Sequence, residues 1–105
     1  MIRHLVVFSF KDSATPAERE QLLAELAELP SHYPAMQRFA LGENRSRRDD
    51  TYSHAFSIEF EREEELLAYL DSERHETFVA TRFRPLVSRR AIVSFEPAPP
   101  QSGHS

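Results

Sequence analysis

A chain of 105 residues and 12.2 kDa makes one small domain with no room for a second. It is 40% apolar and 29% charged, too apolar for disorder along its whole length, and its net charge of −4 speaks against a general electrostatic grip on nucleic acid. The absence of cysteine excludes disulfides, thiolate metal sites and a cysteine nucleophile, and the two glycines, Gly42 and Gly103, stand too far apart for a phosphate-cradling glycine loop.

No apolar run approaches the roughly 18 residues of a membrane span. The N-terminus reads directly as a strand and not as a secretory segment. With no cysteine to oxidise, a cytoplasmic location is expected.

Ile2 to Phe10 is β-branched and aromatic, which predicts a strand. Ile2, His4, Val6, Phe8 and Phe10 share one face, while Leu5 and Val7 make the opposite face apolar too. Thr15-Pro16-Ala17-Glu18 has the form of a capping box with proline at the first helical position. Leu22, Leu23, Leu26 and Leu29 continue it as an apolar helical stripe, which Pro30 is expected to end.

Met36 to Asn44 reads as a second strand, with Met36 and Phe39 in the core. Arg45 to Asp50 mixes both signs of charge and reads as a solvated loop. Tyr52 to Phe60 alternates strictly and predicts a third strand. Glu61 to Leu70 is a short helix with Leu66, Leu67 and Leu70. A further helical piece runs from Glu73 to Arg84, with His75, Phe78, Val79, Arg82 and Phe83 at helical spacing and Pro85 as its stop. Ser88 to Glu96 returns to strand, and residues 97–105 have the composition of a disordered, proline-rich end.

The order β-α-β-β-α(α)-β is the ferredoxin-like split βαβ arrangement, an α+β fold with a four-stranded antiparallel sheet and helices on one face. The other face is too apolar for water. In a chain this short a second copy is its simplest cover, so a homodimer through the open sheet face is expected.

Four segments carry a resemblance to a known family. They are Met1-Ile2-Arg3-His4-Leu5-Val6-Val7-Phe8, Pro34-Ala35-Met36, Thr51-Tyr52-Ser53-His54-Ala55, and Tyr69 with His75-Glu76-Thr77-Phe78. In this order they resemble the Dabb family, the stress-responsive dimeric α/β-barrel domains, over residues 1–96. The resemblance implies a homodimer whose two sheets form a barrel. It also implies a stress-linked protein that binds a small apolar or aromatic molecule between sheet and helices.

One branch, similar to olivetolic acid cyclase, closes a polyketide chain without metal or cofactor. Through that branch the resemblance makes His75 the general base and Tyr69 the residue that holds the substrate. His4 and His54 match its strand histidines. The branch has a supporting aspartate on its last strand, and Ser94 stands at the nearest position here. A monooxygenase-like relative is the third reading, without a specific residue to support it.

General-base chemistry beside a carbonyl wants a group that titrates near working pH, and histidine does so by default. His75 follows Ser72, a plausible N-cap, so the helix dipole would disfavour its imidazolium. Tyr69 would donate a hydrogen bond to a developing enolate. Val6, Phe8, Phe78 and Phe83, with His4 and His54, are expected to line the pocket. Each histidine fits a blander description as well, a core residue bonded to one carbonyl or, for His4 and His54, to one another across strands. Three imidazoles could also converge on a metal, but no ligand stands at i+3 or i+4 from His75, so neither metal nor cofactor is expected.

Overall fold

The computed structural model describes residues 1–99. Strand β1 (Ile2–Phe10) leads to helices α1 (Pro16–Ala27) and α2 (Leu29–His32). Strands β2 (Gln37–Glu43) and β3 (His54–Phe60) follow, then α3 (Glu63–Leu70), α4 (Glu73–Phe78), a π-helical turn (Val79–Phe83) and β4 (Val87–Phe95). The sheet order is β2-β3-β1-β4 with every pairing antiparallel. This is the expected ferredoxin-like α+β arrangement. Residues 97–99 carry no regular structure, and the rest of the expected disordered end, residues 100–105, lies outside the described residues.

Local chemistry explains most boundaries. The Thr15 hydroxyl accepts from the Glu18 amide at 3.1 Å, and the Glu18 carboxylate accepts from the Thr15 amide at 2.9 Å, closing the capping box that starts α1. Pro30 does not end that helix. The chain breaks after Ala27, and Pro30 sits in the first turn of α2, where a missing amide hydrogen costs nothing. The piece expected as one helix from Glu73 to Arg84 divides at Val79. Its second half closes with the Arg84 amide on the Val79 carbonyl, five residues back. The wider turn buries Phe83 and sends Arg82 outward to Glu25, at 2.8 Å.

The core lies between the helices and the inner face of the sheet. Phe8, Leu22 and Ile58 are fully buried there, joined by Val6, Leu26, Met36 and Phe60. Phe39 is half-buried and stacks on Phe56. Burial of such side chains contributes about 1.5–3 kcal/mol each relative to exposure.

The outer face carries Leu5 and Val7 with Ala55, Ala91, Val93 and Phe95, which the strand registers place together. Val93 and Phe95 are 52% and 42% exposed, and among the described residues no helix covers them. Glu59 closes one rim of this face between Arg3, at 2.8 Å, and Arg38, at 2.7 Å. Arg38 sits in the left-handed region, φ 47°, where β2 slips register against β3.

Candidate functional site

The candidate site grows from the junction of α3 and α4. Tyr69 is in the last turn of α3, and Ser72 caps α4 by accepting the His75 amide at 3.2 Å. The Ser72 hydroxyl donates to the Tyr69 carbonyl at 2.8 Å. Its one proton is thereby used, so the Tyr33 hydroxyl, 2.9 Å away, is the donor to Ser72. This network fixes where His75 emerges.

The His75 ring lies 4.7 Å from the Tyr69 ring, edge to face. Its Nδ1 is 3.0 Å from the Leu70 carbonyl oxygen. A carbonyl only accepts, so Nδ1 carries the hydrogen and the neutral ring keeps its lone pair on Nε2. Burial holds the His75 pKa below the ordinary histidine value, against the opposing pull of the Leu70 bond and Glu76. Burial, and not the dipole expected from the sequence, is the main cause of neutrality. Burial, with Tyr33 nearby, likewise raises Tyr69, which stays a phenol and a donor.

His4 approaches Tyr69 from the sheet, ring centre to ring centre 6.3 Å. Its Nδ1 pairs with the Ser94 hydroxyl at 2.8 Å across the β1–β4 ladder. Burial, reinforced by His75, lowers the His4 pKa to about 4. Ser94 therefore serves His4, and a backbone carbonyl takes the orienting role for His75.

His4, Tyr69 and His75 line one cavity of about 100 Å3, whose apolar walls include Val6, Phe56, Phe78 and Phe83. That is several times what one water molecule needs, roughly 10–15 Å3. His75, Leu29 and Phe78 also line an open outer groove of about 570 Å3 between α1, α2 and α4, so they form the wall between the two spaces.

Two expectations about the pocket are corrected. Phe8 is fully buried and lies behind the lining, because Phe10, Phe56 and Phe83 pack around its ring. His54 is not at the cavity. It pairs in register with Phe8, stacks on that ring at 5.5 Å and bonds Ser53 at 2.8 Å. It does not bond His4, whose cross-strand neighbour is Ile58. Among the described residues, no three histidine, aspartate or glutamate side chains group as metal ligands.

Sequence reasoning missed Tyr33, Arg90 and Ile92. The last two share the inner face with Val6 and Phe8 only through the β1–β4 register, which no single strand's pattern contains. The Tyr33 contact has no local signal at all, being made 39 residues away in sequence.

Residues 2–97 match the family model described as the Stress responsive A/B Barrel Domain, Dabb. The chain is 28% identical over 98 residues to the stress-response A/B barrel domain-containing protein HS1 of Arabidopsis thaliana, covering 91% of this chain and 89% of that protein. It is 28% identical over 79 residues to the olivetolic acid cyclase of Cannabis sativa, covering 73% and 78%. A solved dimeric ferredoxin-like protein of unknown function from Thermobifida fusca superimposes with a TM-score of 0.75 at 29% identity, covering 90% of this chain and 88% of that one. None of the fold's helices is long and apolar enough to cross a membrane among the described residues. The family match extends over nearly the whole chain and agrees with the element order and the strand and helix segments that first pointed there: this chain belongs to the Dabb family of stress-responsive A/B barrel domains.

Proposed function

We propose that this Dabb domain is a cytoplasmic homodimer that binds a small apolar or aromatic molecule in the cavity between sheet and helices. His75 and Tyr69 act on that molecule as base and hydrogen-bond donor, in a cofactor-independent cyclase, lyase or isomerase reaction. The carrying observation is the meeting of the two rings at 4.7 Å on one cavity wall, with His75 Nδ1 tied to Leu70. In the step this allows, His75 Nε2 takes a proton from carbon next to a carbonyl. The C–H electron pair becomes the enolate, and the Tyr69 hydroxyl donates to the enolate oxygen. The likeness to olivetolic acid cyclase supports a polyketide-like β-keto compound as the first substrate class to try.

The assay is turnover of such compounds by the wild type, His75→Gln and Tyr69→Phe. Activity that survives His75→Gln unchanged overturns the base. A neutral base loses activity as pH falls through its pKa, so the acid limb of the profile should lie below the ordinary histidine value of 6.5. Dimerisation rests on the uncovered apolar outer face, and the likeness to a dimeric relative supports it. Sedimentation at micromolar concentration should give twice the chain mass, and a stable monomer contradicts it.

A further inference from the structure

Beside the cavity lies a second space whose chemistry is different. A cleft of about 160 Å3 opens between the π-helical turn and β4. It shares Val79, Phe83 and Arg90 with the cavity, so the two spaces adjoin through those three side chains. Arg84, which follows the π-helical turn, lines the far side of the cleft. Arg90 pairs in register with Phe8 and so stands on the inner face of the sheet, toward the helices. Arg89, which pairs with Ser9, lines the cleft as well, so Arg84, Arg89 and Arg90 together set its charge.

No aspartate or glutamate lines this cleft. The ion pairs among the described residues are Arg3–Glu59, Arg38–Glu59 and Arg82–Glu25, and none of Arg84, Arg89 and Arg90 takes part in one. In a chain of net charge −4, three guanidiniums without a carboxylate partner are gathered at the mouth of an apolar cavity. Guanidinium donors suit a carboxylate in two-point contact.

We infer that the cavity takes an amphipathic carboxylic acid, its apolar or aromatic body inside and its carboxylate held at the mouth by Arg84, Arg89 and Arg90. This rests on the ligand-binding reading above and adds the class of ligand and its direction of entry. The body passes between Val79 and Phe83 and its far end meets Tyr69 and His75. The reacting carbon is then the end remote from the acid. All three arginines are exposed, so water competes for the head and the gain in affinity is modest.

The test compares two ligands of the same body, 3-phenylpropanoate and 3-phenylpropan-1-ol, titrated into the isotope-labelled full chain and followed by NMR. The acid should bind about fivefold more tightly than the alcohol, as expected for a solvent-exposed charge pair. The triple variant Arg84→Gln/Arg89→Gln/Arg90→Gln should bring the acid down to the affinity of the alcohol for that same variant. Equal affinities in the wild type, or an acid preference that survives the triple variant, overturn the inference and leave the cavity reading intact. An acid that moves the cleft signals without those of Tyr69 and His75 also overturns it, since the body is then not inside. If neither ligand moves any cavity signal, the binding reading falls and the inference with it.

Discussion

His4 and His54 stand on the same face of two neighbouring strands, yet they occupy different worlds. At the His4 end the facing groups are the small Ser94 and the edge of Tyr69, and space remains between sheet and helices. At the His54 end the rings of Phe8 and Phe10 lie against the imidazole at 5.5 and 5.4 Å. The pleat decides which way a side chain points. The size of the neighbouring strands' side chains decides whether it points into a cavity or into packing. One end of the sheet therefore borders a cavity and the other is filled by packing.

The sharpest way to break this contrast is Phe8→Ala. Phe8 is the fully buried centre of the packed end, and its loss should cost about 3–5 kcal/mol in a urea unfolding titration. A cost below 1 kcal/mol would mean the packed end is not what holds the fold.

The next effect is pH dependence. A histidine held at a pKa of about 4 when folded and near 6.5 when unfolded keeps its full stabilising contribution above pH 6.5. The unfolded chain binds the extra proton between those values, so stability falls as pH drops from about 6.5 to about 4. For His4 the loss is about 3 kcal/mol at one pKa unit per 1.4 kcal/mol. The slope of unfolding free energy against pH should shrink more in His4→Asn than in His54→Asn, and equal slopes would contradict the contrast.

Third, His75→Gln should reduce turnover by about a hundredfold or more, the lower range for loss of a general base, while His54→Gln changes it little. The smallest effect sits at the hydrogen bonds. Ser94→Ala should cost about 1 kcal/mol by leaving His4 unpartnered, whereas Ser53→Ala, in an exposed bond to His54, should cost less than about half that.

The fold was legible because its signals are local and repeat along the chain. Thr15 to Glu18 announces a helix start, and the alternation from Tyr52 to Phe60 announces a strand, although regular pairing begins only at His54. The element order then leaves few ways to join the strands. What the chain hid depends on distances between segments. The break at Ala27 and the π turn after Phe78 change helix direction and width without altering the apolar spacing that marks a helix. Tyr69 and His75 were singled out by the resemblance to the cyclase branch, and the junction of α3 and α4 brings their rings to 4.7 Å. The placing of His54 was not, because its parity is the same as that of a cavity residue and only the bulk of Phe8 and Phe10 excludes it.

His75 and His4 share a space that His54 does not. The direct measurement is the histidine ring signals of the labelled protein during titration with phenol, a neutral aromatic small enough to enter. The rings of His4 and His75 should move together and saturate with one affinity, with His54 still. Movement of His54 to the same extent, or no movement at His75, would contradict it.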